Sequence, residues 1–338
     1  GAQLTYIGSY RDFDSYSTAE SDFTSLRIFT TGVGGSIQAP GVLPNGDEIQ
    51  TFTQELRLQG TALDDRLDWL VGGFYSNEDI RALQTMSFGP DFQAALTAGN
   101  FGTAFGPNGL FALTALGNGG VPVNSNGSFA NNLVRQDAGR FSLFTHNVFK
   151  LTDQVSLTLG ARYVDEKKTA SFEQLSANNP ACQAIVNAAL NGSLLAAVGG
   201  NQAAFAGAVG LTCFPFGVPV GLTAPIPGSP LASNFLPLPR EWDNKFKDDE
   251  ITYTAQLAYE PNDDLLFYAG FSHGFKSGGF NLDPTAANVT NFAAVLGAGA
   301  TPEFADPRFQ SEKVDQIEIG VKATLGRIKA NLAIFDTY

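Results

Sequence analysis

Stretches of about ten residues in which apolar and polar side chains alternate recur along this chain, and the connections joining them are by turns very short and very long. The clearest is LTDQVSLTLGARYVDEKK, residues 151–168. Val155, Leu157, Leu159, Ala161 and Tyr163 share one parity, and Ser156, Thr158, Gly160 and Arg162 share the other, with Val164 out of pattern. This is the period-2 signature of a strand with one apolar face. Such a face has to meet either a protein core or lipid.

The same alternation returns in ITYTAQLAYE (251–260), LLFYAGFSHGFK (265–276, interrupted by His273), VDQIEIGVKATL (314–325) and IKANLAIFDTY (328–338). Weaker versions occupy 3–12, 51–59, 67–78 and 139–150, the last with no clear apolar parity. That makes about nine strands of roughly ten residues, longer than the 5–6 common in soluble sheets and close to the 9–11 that cross a bilayer at a tilt.

The connections discriminate between lipid and core. Short ones lie at 60–66, 152–154, 261–264 and 326–327, and long ones at 12–48, 85–135, 171–245 and 279–309. Structureless connections beyond about 12–15 residues are uncommon in compact soluble domains, whereas tight turns on one side and long loops on the other typify outer-membrane barrels. The long connections are rich in Gly, Asn, Pro and Ala, a composition of surface excursions. Within them, 184–211 is broken by Asn, Gly and Gln and reads as one or two short helices in a loop; no apolar run is long enough for a transmembrane helix. Tyr6, Tyr10, Trp69, Tyr75, Tyr163, Tyr259, Phe267 and Tyr268 fall near strand ends, where aromatic rings would form interfacial girdles. The expected fold is all-β: part of a large antiparallel up-and-down transmembrane β-barrel, about nine strands of it, with long extracellular loops, one containing short helices.

Composition narrows the function. Charged residues are 16% of the chain, below the roughly 25% of soluble domains. The net charge of -13 and the lack of a basic stripe exclude a nucleic-acid partner. Acidic clusters at 64–65, 248–250 and 263–264 read as solvated, turn-forming carboxylates. Cys182 and Cys213 bracket the helical segment; a disulfide closing that loop, with the oxidising compartment it implies, is expected over two separate buried thiols. Neither their spacing nor a neighbouring His fits a metal site. The opening GAQLTYIGSY has no charged start followed by an apolar run, so the chain reads as mature or as a fragment. No nucleophile, metal or nucleotide motif stands between a strand and a helix, so neither an enzyme nor a cofactor is expected.

The strings IQTFTQELRLQG, LDWLVGGFYSNED, LTDQVSLTLGARYVDEKK, LLFYAGFSHGFKSGGFN and SEKVDQIEIGVKATLGRIKANLAIFDTY, in this order over about residues 50–338, resemble the barrel region of TonB-dependent outer-membrane receptors. The resemblance implies a Gram-negative outer-membrane transporter: a barrel of about 22 strands around an N-terminal plug, driven by the TonB–ExbB–ExbD complex. Its cargo would be a ferric siderophore, haem, cobalamin or an oligosaccharide. About nine strands, no plug, no TonB box and an end in mid-strand make the chain an expected internal segment of a longer receptor. Polar residues on the luminal parity include Arg162, Glu166, Lys276, Glu318 and Lys322. Of these, Arg162, Glu166 and Lys276, together with His273 near the outer end of its strand, are candidate substrate contacts, the competing reading being ion pairs, plug contacts or, for His273, a girdle position. Two other classes stay open: a passive porin, and a secreted soluble β module whose apolar faces would be hidden between two stacked sheets.

Overall fold

A computed structural model of the chain describes residues 1–15, 17–20, 25–33, 46–98, 109–213, 241–282 and 306–338. Its strands are β1 (Ala2–Ser15), β2 (Ser17–Glu20), β3 (Phe29–Val33), β4 (Asp47–Ala62), β5 (Leu67–Phe88), β6 (Phe129–Lys150), β7 (Val155–Asn178), β8 (Glu241–Asn262), β9 (Leu265–Lys276), β10 (Gly279–Phe280), β11 (Arg308–Phe309), β12 (Glu312–Leu325) and β13 (Ile328–Thr337). Nine of them form one antiparallel meander in the order β1-β4-β5-β6-β7-β8-β9-β12-β13, with β2 and β3 added at one end of β5. The four tight connections fall where the sequence places them. At the first, Leu63, Asp64 and Asp65 all adopt left-handed backbone, which two short polar side chains tolerate better than a β-branched pair would.

The sheet has one exposed apolar face. Leu4 on β1, Leu58 on β4, Val71 on β5, Leu143 on β6, Tyr163 on β7, Leu257 on β8, Phe267 on β9, Ile319 on β12 and Ile334 on β13 are all exposed. The register pairs Leu4 with Leu58, Leu58 with Val71, Leu143 with Tyr163, Leu157 with Leu257, Tyr259 with Phe267 and Ile319 with Ile334. Directly opposed residues point to the same side, so these side chains make one continuous surface. Among the described residues no second layer covers it, which removes the two-layer soluble module.

The apolar surface is a band of fixed height. On the outward parity of β7 it runs from Val155 to Tyr163 and gives way to Asp165 and Lys167; on β8 it runs from Tyr259 to Ile251 and gives way to Asp249 and Lys247; on β12 it ends at Ile317, followed by Asp315 and Lys313. Each crossing covers about nine residues, the length a tilted strand needs to span hydrocarbon. Exposed Tyr10, Tyr75, Tyr163 and Tyr253 mark the upper edge, an amphipathic ring being most stable where hydrocarbon meets water. Tyr259 and Phe267 lie at the lower edge, close to the tight turns.

Four expectations need correction. The strands are longer than the alternation shows: β5, β6, β7 and β8 run for 22, 22, 24 and 22 residues, so both ends of 85–135 and of 171–245 are strand rather than loop. The acidic run 248–250 lies inside β8, not in a turn. Tyr268 points inward, donating to Glu318 Oε1 at 2.6 Å, and is not part of a girdle. On β6 the outward parity carries Phe141 and Leu143, while Phe144 points inward against Arg162; two apolar parities are what hid the pattern.

A helical cap grows from the ends of β5–β8 opposite the tight turns. It consists of α1 (Phe92–Ala98), α2 (Gly109–Thr114), a 3-10 turn (Ala115–Gly117), α3 (Pro180–Leu190), α4 (Ser193–Ala197) and α5 (Gln202–Cys213), three helices rather than one or two between β7 and β8, and two unforeseen ones before β6. Asn179 caps α3 by accepting from the Cys182 N–H at 3.0 Å, with Pro180 in the first turn, the pairing that best suits a helix start. Phe88, Phe92, Leu110, Ile185, Val186, Leu194, Phe205 and Val209 form the cap's core, which is closed by the Cys182–Cys213 disulfide. Met86, Phe88, Ala130 and Trp242, through which the strands join this core, have the inward parity, so the cap leans over the inward side of the sheet.

Candidate functional site: the inward wall and its cap

Below the cap, the inward face of β5–β8 is polar, and Asn132 Oδ1, Gln174 and Arg162 Nε are buried on it without a hydrogen-bond partner. Arg162 lies between the rings of Phe74 and Phe144, 5.7 and 5.8 Å from their centres, and donates to Ser142 Oγ at 2.9 Å. The negative face of an aromatic ring attracts a guanidinium, the more so where water is partly excluded. Phe144 reaches this position because residue 72 is glycine: a Cβ there would stand 2.5–2.8 Å from two carbons of the Phe144 ring. Gly72→Val should therefore displace Phe144 and lower stability by about 1–3 kcal/mol, measured by unfolding in detergent, with Gly139→Val, whose Cβ position is open, as the control.

One step higher, Glu166 is 4% exposed and accepts from Arg140 Nη2 at 3.0 Å, with Lys168 Nζ 3.3 Å from its other oxygen. Lys168 in turn donates to the Gly278 carbonyl at 2.7 Å. The chain leaving β9 is thus tied to the inside of β7, and Phe280 packs there on Trp242 at 6.1 Å. Removing the carboxylate strands two cations, one of them largely buried. Glu166→Ala should cost about 1–3 kcal/mol, since Arg140 retains water contact, and should raise protease cleavage near 277–282.

Farther along, Arg308 pairs with Asp306 at 2.6 Å, and the guanidinium holds that carboxyl down at about 2, below its usual 3.8. A lowered carboxylate pKa gives a contact that is complete above the ordinary value and is lost only as the pH falls through the lowered one. An NMR titration of Asp306 should accordingly show no protonation at pH 4.

A family model described as TonB dependent receptor-like, β-barrel, matches residues 1–338. The chain belongs to this family. Its sheet is therefore wall of an outer-membrane receptor barrel in a Gram-negative bacterium. Among solved structures it is similar to the ferric yersiniabactin uptake receptor FyuA of Yersinia pestis, with TM-score 0.56 and 12% identity over 99% of this chain and 33% of that one. The siderophore receptor PiuA of Acinetobacter baumannii (TM-score 0.44, 14% identity, 96% and 40% covered) and the closed form of the ferric-catecholate import receptor Fiu of E. coli K12 (0.39, 13%, 99% and 41%) are also found. The chain thus spans between 33% and 41% of the length of these proteins. At such identities the first match speaks for the fold alone. No curated protein matches the sequence.

In this receptor wall the sequence-derived candidates do not converge. Arg162 and Glu166 share the inward face of β7, four residues apart. His273 lies on the outward parity, stacked on Tyr253 at 5.2 Å and bonded to Asp315 at 2.6 Å, at the upper rim of the apolar band. Lys276 ends β9, exposed and 3.6 Å from Glu312. Glu318 and Lys322 face inward around Tyr268, whose ring lies 5.6 Å from Lys322 Nζ. Sequence reasoning did not find Arg140, Lys168, Phe74, Phe144 or Trp242. Lys168 was legible, because a strand puts residues two apart on one face and Lys168 follows Glu166 by two. The aromatic pair around Arg162 comes from two other strands and had no local signal.

Proposed function

We propose that this chain is part of the barrel of a TonB-dependent receptor that takes up a scarce nutrient across the outer membrane, binding it at the extracellular cap and upper inward wall. The observation that carries the reading is the family match over the whole chain; the helical cap over the inward side gives such a receptor a place to hold cargo. Transport would draw on the TonB–ExbB–ExbD complex acting through a plug in the parent protein, which would also contribute the remaining strands. The cargo class is a siderophore-bound iron, haem, cobalamin or an oligosaccharide.

Of the four candidate contacts, Lys276 and Arg162 fit this role best, one exposed above the band and the other facing the lumen. The polar atoms of Glu166 and His273 are taken up by neighbours within the wall. Accumulation of labelled cargo should be lost equally when the whole receptor is deleted and when TonB is deleted. Accumulation that survives loss of TonB would mean a passive channel instead.

A further inference from the structure

Above the tyrosine rim the outward face of β7 and β8 sets like charges directly opposite each other. Two outward positions beyond Tyr163 and Ile251, Lys167 on β7 opposes Lys247 on β8, and Lys245 stands one outward position higher, opposite Thr169. Side chains opposed in this way lie on the same side of the sheet, where like charges repel. The side chains of Lys167 and Lys247 are 66% and 60% exposed, and Lys245 is exposed as well. Asp165 is one carboxylate for two ammoniums, 3.6 Å from Lys167 Nζ and 3.4 Å from Lys247 Nζ. Lys245 has no ion pair among the described residues. Asp249 and Asp243 flank the lysines on the same face of β8, but they are short, and the long lysine stems carry their ammoniums beyond them.

From this we propose that Lys167, Lys245 and Lys247 form a site for the phosphate of a phosphorylated glycolipid in the outer leaflet. The site is continuous with the face that meets hydrocarbon. Four residues of strand beyond Tyr163 raise Lys167 by roughly 10 Å once the tilt is allowed for, and a lysine stem bends back far enough to place its ammonium in the headgroup layer. The tight turns close the opposite end of these strands, the periplasmic arrangement of such barrels, so the lysines stand on the outer-leaflet side. A phosphate monoester offers several charged acceptor oxygens and can bind three ammoniums at once; the repulsion between Lys167 and Lys247 then becomes attraction for a shared partner. A zwitterionic headgroup brings its own cation and gains less. The inference rests on the lipid-facing wall and goes beyond the uptake reading, since it needs no cargo.

The test titrates the whole receptor, in neutral detergent micelles and without cargo, with two probes: diphosphoryl lipid A and lipid A stripped of both phosphates. The expected result is binding of the diphosphoryl form about tenfold or more tighter in low salt, an advantage that shrinks several-fold at about 0.5 M salt. The triple variant K167Q/K245Q/K247Q should bind the two forms alike. Thr169→Lys, which adds a fourth cation across from Lys245, should widen the gap between them. The variant R327Q/K329Q, altered at the tight-turn end where both side chains are exposed, should keep the preference unchanged. Equal binding of the two forms by the unaltered receptor would overturn the proposal, as would a preference that survives the triple variant or one that R327Q/K329Q abolishes. Because neither cargo nor energy enters the measurement, its outcome is independent of whether the receptor transports.

Discussion

Arginine at Leu257 is expected to destabilise the barrel by about 2–4 kcal/mol, while arginine at Thr169 should cost close to nothing. Both positions face outward and are exposed to whatever surrounds the wall. Leu257 lies mid-height in the apolar band, opposite Leu157 on β7 and Ala269 on β9. Thr169 is three outward positions above Tyr163 on β7, beyond Asp165 and Lys167. A guanidinium in the hydrocarbon midplane loses its hydration, and the penalty shrinks to about 0–1 kcal/mol near the interfaces. Tyr259→Arg, at the lower rim, should therefore fall between the two. The measurement is the unfolding free energy of the whole receptor refolded into lipid vesicles, for the three variants in parallel. In a soluble sheet the same exposed leucine would tolerate arginine as well as Thr169 does, so equal costs would deny the wall its lipid.

Loss of the Cys182–Cys213 bridge should loosen the cap and leave the wall intact. The two residues are 31 apart in sequence with their Cα atoms 4.7 Å from each other. Opening a loop of that size returns about 3–4 kcal/mol of entropy to the unfolded segment. The cap's own core is small, and both sulfurs are fully buried in it beside Ile185, Phe205 and Val209. The double variant C182S/C213S should thus show amide exchange in α3 and α5 faster by a factor of about a hundred or more. Exchange in β7 and β8 within the apolar band should be unchanged, because those strands are held by their neighbours and by lipid. Slow exchange in α3 after removal of the bridge would show that packing alone holds the cap.

How much of this was legible follows from where the hydrophobic period is present. On β7, β8 and β12 every outward residue within the band is apolar and most inward ones are polar, so these strands announce themselves and their turns. Above Tyr163 the pattern stops, since outward Asp165 and Lys167 are as polar as inward Glu166 and Lys168. The ladder continues all the same, pairing Lys167 with Lys247 and Phe172 with Trp242. Backbone hydrogen bonds do not need an apolar face, and this is why β5–β8 run far past their sequence signal. On β6 the signal is blurred for a different reason: Phe144 turns inward to fill the space above Gly72. The cap's helices between β5 and β6 were hidden by their brevity, as segments of six and seven residues have too few turns for a 3.6-residue period to show. Of the site, the residues on β7 could be read from parity. The partners they meet, Arg140 from β6 for Glu166 and the rings of Phe74 and Phe144 for Arg162, depended on register.

The most direct measurement is a spin-label scan of residues 251–259 on β8 in the membrane-embedded receptor, one cysteine at a time, the native pair being locked in its disulfide. Collision with oxygen, which concentrates in hydrocarbon, should peak at 251, 253, 255, 257 and 259, and collision with a water-soluble nickel chelate should peak at the residues between them. Nickel access at both parities, or oxygen access with no two-residue period, would contradict a sheet that has lipid on one side and a wet interior on the other.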